Sequence, residues 1–295
     1  MMKSPFARRD FLRALVLGGA SVATANLLAE EGALKEPVFR ISKATSDVAA
    51  RSAPAHPLDP ALKLARECLE RINRDVVDYT CLIVKRERIK GTLGEHEYME
   101  AKIRNRKVVD GRMTTPLSVY MRFVKPKGVE GREVIWVEGQ NNNKLKAHEG
   151  GFLGSKLPSV WLDINGPLAM RGQLHPISDI GIENLILKLI EKGEADRAHE
   201  ECVVEFTKGA KLNGRPCTVL TVRHPQQREH FEFHIAQVFL DDELGLPVRY
   251  AAYHWPTSPN DKMGPVLEEY TYINIKTNVN LTDSDFSPDN PNYNF

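Results

Sequence analysis

Apolar residues change their spacing along the chain, and the changes mark the elements. Leu58, Leu62, Ala65, Leu69, Ile72 and Val76 recur at intervals of four and three among charged residues, a narrow stripe that predicts a helix. Asp59-Pro60 opens it, with Asp59 suited to the cap and Pro60 to the first turn. From Tyr79 the period falls to two. Tyr79, Cys81 and Ile83, then Met99, Ala101 and Ile103, then Val119, Met121 and Phe123, then Ile135 and Val137 alternate with other residues as strands do. Two further strands flank Asn213-Gly214, a strong hairpin signal, and Phe231-Phe233-Ile235, Val248–Trp255 and Leu267–Ile275 bring the set to about ten.

A helical period returns over 179–192, where Ile182, Leu185, Ile186, Leu189 and Ile190 share a face and Gly193 suits a C-terminal stop. Gly150–Pro176 carries neither period and reads as a packed surface loop or lid. Helix, strands, helix, strands predicts an α+β fold, one antiparallel sheet with helices on one face.

The stretch before the first helix changes the picture from fold to address. Ala-Arg-Arg-Asp-Phe-Leu-Arg at 7–13 precedes about 15 mostly apolar residues, and Ala23-Thr24-Ala25 fits a signal-peptidase site. The apolar run is shorter than the roughly 20 residues that span a bilayer. Residues 1–28 are therefore expected to be a twin-arginine-type signal peptide that engages the twin-arginine export machinery. Residues 29–57 mix Ala, Ser, Pro and charges without a period and are expected to be a flexible linker. Residues 58–295 form a single domain on this reading, exported already folded to the periplasm or cell envelope.

Charge and cysteines exclude several classes. The chain has 40 Lys and Arg against 39 Asp and Glu, and loss of residues 1–25 leaves a net charge of −2, which argues against a nucleic-acid partner. Cys68, Cys81, Cys202 and Cys217 form no C-x-x-C pair and read as buried small apolar residues.

The order of elements, D-D-E-L-G-L-P-V-R-Y at 241–250 and the closing L-T-D-S-D-F at 281–286 resemble the lipoprotein-carrier superfamily, which includes the periplasmic lipoprotein localisation factor. The ending D-F-S-P-D-N-P-N-Y-N-F at 285–295 resembles an uncharacterised family of exported bacterial proteins, a domain of unknown function. The resemblance implies a large curved antiparallel sheet, a half-open β-barrel, covered by the N-terminal and mid-chain helices. Such a sheet leaves an apolar hollow able to accept acyl chains. The localisation factor's lid-latching arginine has no counterpart that can be placed here.

Aromatic residues and Met on strands are the candidate lining of that hollow, namely Met121, Phe123, Trp136, Phe233, Tyr250 and Tyr270, with Met121, Phe123 and Phe233 foremost. The expected partner is an apolar small molecule or a lipidated envelope protein, with possible peripheral membrane contact and no cofactor.

Other chemistry is weaker. His224, His230 and His234 with Glu229, Glu232, Asp241 and Asp242 are dense in metal-capable groups, but His230 and His234 on a strand would stand about 13 Å apart. Lys85, Arg86, Arg88 and Lys90, then Lys102, Arg104, Arg106 and Lys107, suit anionic headgroups, yet Glu87, Glu95, Glu97 and Glu100 balance them as on a solvated face. No G-x-S-x-G, Walker or dinucleotide motif is present. Asp163, Asp179 and Glu183 are the candidate carboxylates for a glycoside-hydrolysis pair. No catalytic and no metal residue is assigned. The reading is a non-enzymatic binder; a docking module or an envelope hydrolase are the alternatives.

Overall fold

A computed structural model describes residues 39–40, 56–258 and 260–295, with side chains from 56 onward. The expected signal peptide 1–28 lies outside the described residues, as does the expected linker apart from 39–40 and 56–57.

In chain order the elements are β1 (Phe39–Arg40), α1 (Asp59–Asp75), β2 (Asp78–Ile89), β3 (Thr92–Leu93), β4 (Glu97–Arg104), β5 (Lys107–Val109), β6 (Arg112–Thr115), β7 (Ser118–Lys125), β8 (Glu133–Val137), β9 (Lys144–His148), α2 (Gly151–Gly154) and β10 (Val160–Asp163). The second half holds α3 (Ile182–Asp196), β11 (Val203–Leu212), β12 (Arg215–Arg223), β13 (Ile235–Asp241), β14 (Pro247–Tyr253) and β15 (Val266–Thr277). Thirteen strands make one sheet in the order β1-β11-β12-β13-β14-β15-β2-β4-β7-β8-β9-β10, with β3 beside β2; β5 and β6 pair separately. Every pairing is antiparallel and the path does not close on itself, so the fold is an open α+β half-barrel.

Alternation decides which face is inner. Tyr79, Cys81 and Ile83 of β2, Met99, Ala101 and Ile103 of β4 and Val119, Met121 and Phe123 of β7 are all buried in one cluster with Ile72 of α1 and Ile182 and Ile186 of α3. Both main helices therefore lie on the same face of the sheet, as their apolar stripes require. They also cross each other closely. A Cβ on Gly193 would come within 2.8 Å of Leu62 Cδ2, so this glycine serves helix-to-helix approach, and α3 runs on through it to Asp196 instead of stopping.

Two other expectations are corrected. Asp59 does not cap α1; its carboxylate accepts the His56 N–H at 3.1 Å and pairs with Arg197 beyond α3 at 2.8 Å. Phe231 and Phe233 precede a strand that begins at Ile235, because the backbone at 224–234 turns back on itself, with the His224 N–H donating to His234 O at 2.8 Å. Phe39–Arg40, within the expected linker, pairs with Leu212 and Lys211 along the outer edge of β11, whose backbone groups would otherwise be unpaired. The Asn213-Gly214 turn forms as expected, both residues at positive φ of 48° and 85°.

The outer face of β4, β7 and β8 is covered by the C-terminal segment. Phe286 is buried with Tyr120, Ile135 and Val137, and Tyr293 stacks on Tyr120 with ring centroids 3.9 Å apart. Lys102 meets Asp285 at 2.7 Å, and Asn294 donates to Glu133 at 2.6 Å. The motif at 285–295 is thus a strap across three strands.

Candidate functional site

Between α1, α3 and the inner face of β12–β15 the side chains do not meet, and a cavity of about 220 Å³ remains. Register explains its floor. Leu220, Val238 and Tyr250 are neighbours in one cross-strand row, and Tyr270 and Lys85 continue it. Short or branched residues at the β12 and β13 positions leave space that two tyrosines bound on one side. The roof comes from the helices, with Ala61, Ala65 and Leu189 over the hollow. Small residues on α1 at this point keep the roof high.

The ends of the hollow are polar. At one end His175 Nε2 lies 2.7 Å from Glu268 Oε2, and the Tyr270 hydroxyl stands between Glu268, at 3.2 Å, and Glu87, to which it donates a short hydrogen bond. Lys85, itself buried, approaches Glu87 at 3.3 Å and Glu97 at 3.2 Å, and Gln173 at 3.3 Å. The hydrogen bond to Glu268 holds the His175 imidazole above its ordinary pKa despite partial burial. Burial, followed by the charges of Glu268 and Glu87, pushes the Tyr270 phenol far up, so it stays a neutral donor.

At the other end Lys192 pairs with Glu232 at 2.8 Å, and Asp196 lies 3.6 Å from His224. Burial drives this pair toward neutrality, raising Asp196 and lowering His224. The apolar middle with ion pairs at both ends can hold an apolar chain in the hollow and satisfy a polar group at either end.

The six residues singled out from sequence divide. Phe233, Tyr250 and Tyr270 line the cavity. Met121, Phe123 and Trp136 do not; they are packed in the main core with Ile164, Ala169 and Ile177 of the segment between β10 and α3. That segment fills the hollow over β4, β7 and β8, whereas the two helices only bridge it over β12–β15.

His175 and Glu268 were not singled out from sequence, and Lys85 and Glu87, read there as part of a solvated face, are instead buried beside the hollow. Their sequence signal is polar residues continuing the inner-face alternation, as in Ile83-Lys85-Glu87 and Glu268-Tyr270-Tyr272.

The remaining candidates disperse. The rings of His230 and His199 stack, their centroids 3.7 Å apart, His224 and His234 bond to backbone carbonyls, and Asp241 pairs with Arg215. Among the described residues no group of three or more His, Cys, Asp or Glu could hold a metal ion. Asp179 meets Lys188 at 3.2 Å, Glu183 is influenced by Arg106, and Asp163 accepts from Asn165, so the three carboxylates have separate surroundings. The four cysteines are buried and free, and burial pushes the Cys68 thiol up to about 11. Among the basic runs, Arg86, Lys102, Arg104 and Arg106 are tied to Glu269, Asp285, Asp283 and Glu138.

A family model described as "Protein of unknown function (DUF1571)" matches residues 76–295. No curated protein matches the chain. Among solved structures, it is similar to a DUF1329 family protein from Desulfovibrio piger at 12% identity, covering 79% of this chain and 98% of that one with a TM-score of 0.38. It is similar to MucB at 14% identity, covering 78% and 63% with a TM-score of 0.42. For a LolA superfamily protein from Nitrosomonas europaea the values are 10%, 76%, 98% and 0.33.

Proposed function

The chain belongs to the DUF1571 family of proteins of unknown function, and from that premise we propose that it is an exported, non-catalytic protein that takes up an acyl chain, free or on a lipidated partner. The observation that carries this is the apolar hollow of about 220 Å³ roofed by α1 and α3. The volume sets the ligand's size. It exceeds the ~150 Å³ of an apolar cavity that binds benzene and falls below the ~300 Å³ at which pockets for whole drug-sized ligands begin. A short alkyl segment fits; a complete long-chain lipid requires the helices to part.

Hydrophobic burial supplies the affinity, at about 0.8 kcal/mol per methylene, and the cost of association is set against it. Arg8-Arg9, the apolar run and Ala23-Thr24-Ala25 support export, and Arg8→Lys/Arg9→Lys should leave the chain in the cytoplasm on cell fractionation.

Calorimetric titration with decanoate tests the uptake. The wild-type chain should bind one molecule saturably. Ala65→Trp, which puts an indole into the hollow from α1, should abolish binding while the thermal midpoint moves by only a few degrees. Equal binding by both proteins would refute the site.

A further inference from the structure

A second apolar surface lies away from the hollow. Phe152, Leu153 and Leu168 are 81%, 75% and 70% exposed, and Leu157, Val160 and Trp161 follow at 40% or more, Val160 and Trp161 projecting from opposite faces of β10. Scattered exposed apolar residues need no explanation, but six within 17 positions of one segment do. They sit on α2, on β10 at the end of the sheet, and on the loops around both.

This protrusion is held at its base. Gly150 packs directly on the β7–β8 connection, where a Cβ would lie 2.2 Å from Glu130 O, and the Gly151 N–H donates to Glu130 O at 2.8 Å.

Cations stand beside the apolar tips. Lys156 Nζ is 4.4 Å from the Phe152 ring centroid, and Lys146 Nζ is 5.3 Å from that of Trp161. Lys144 and Arg171 are also exposed nearby in sequence. Of the acidic groups, Glu149 is engaged by Arg132 at 3.0 Å, and the exposed Asp163 stands opposite Lys144 across the β9–β10 pair. Side chains this exposed project instead of lining a recess, which suits a fluid apolar phase. Aromatic and aliphatic anchors with lysines alongside are the composition that seats a protein in the headgroup region of an anionic membrane.

We propose that the 151–168 face docks the protein on an anionic lipid bilayer, the side chains of Phe152, Leu153 and Trp161 entering the interface and Lys146 and Lys156 meeting the headgroups. The face and the hollow share no lining residue, so each stands or falls separately.

Vesicle flotation of the full-length chain tests this. Wild-type and variant chains all retain residues 1–28, so differences between them report on the 151–168 face. The wild-type chain should float with phosphatidylglycerol-containing vesicles and less with phosphatidylcholine alone, and salt should release it. Phe152→Ser/Leu153→Ser/Trp161→Ser should lower partitioning about tenfold or more, and Lys146→Glu/Lys156→Glu should lower it on anionic vesicles only. Should the triple variant fail to fold, brominated lipid should quench wild-type fluorescence strongly and Trp161→Phe weakly. Equal partitioning of folded variants, equal quenching, or no wild-type flotation overturns the proposal. So does a dimer that depends on these residues and ignores vesicles, which would make the face an interface between copies.

Discussion

Tyr79 is fully buried at the start of β2, and its phenolic oxygen accepts the Ile182 N–H of α3 at 2.8 Å. The first N–H groups of a helix have no partner inside it, and Gly181, at φ 117°, offers no capping side chain. Tyr79→Phe should therefore cost about 1–3 kcal/mol in urea unfolding, the penalty for leaving a buried donor unpaired. Gly150→Ala should cost at least about 2 kcal/mol, because the Cβ would meet backbone at Glu130 and Arg132, which side-chain motion cannot relieve. His175 makes a pH-dependent contribution. Its pKa is raised by Glu268, so its stabilisation is fully present below the unfolded value near 6.5 and is lost as pH rises through the higher folded value. His175→Gln should remove that loss from a stability–pH profile. Half-exposure of the side chain keeps the effect small.

Among the elements, the C-terminal strap has the clearest chemistry. Burial alone would raise the Asp285 carboxyl, but the bonds from Lys102 and from the Thr282 backbone outweigh it and hold its pKa low. A depressed carboxyl stabilises above its unfolded pKa, near 4, and the stabilisation disappears as pH falls through the lower folded value. Protection factors over 281–295, each referred to intrinsic exchange at the same pH, should thus fall in acid before those of the central strands, and Asp285→Asn should show the fall at neutral pH. The strands of the first half were legible because β2, β4 and β7 each alternate against a packed core. β13 was misplaced because Phe231 and Phe233 extend the same alternation outside the sheet, and periodicity does not register the backbone turn at 224–234. Gly193 misled in the same way: a glycine for close approach and a glycine for a helix stop look alike until the facing residue, Leu62, is known.

For the whole molecule, the sequence carried the sheet, the two helices and the inner face, and half of the proposed lining. Met121 and Phe123 share that inner face with Tyr250, against which Phe233 packs from outside the sheet, and no local pattern tells which part of a face is filled by the 164–177 segment and which is only bridged by helices. That difference is a long-range packing outcome, set by Ile164, Ala169 and Ile177 on one side and by Ala61 and Ala65 on the other. Substitutions that fill or charge the hollow therefore belong at Ala65 and Val238, which face it, whereas a charge at Met121 would disrupt core. Under the proposed function this hollow is occupied in the cell. Native mass spectrometry of the protein purified gently from its host's envelope, followed by lipid extraction, tests it most directly. One acyl-bearing adduct per chain, absent from Ala65→Trp, is the expected result; the bare polypeptide mass in wild-type and variant alike would contradict it.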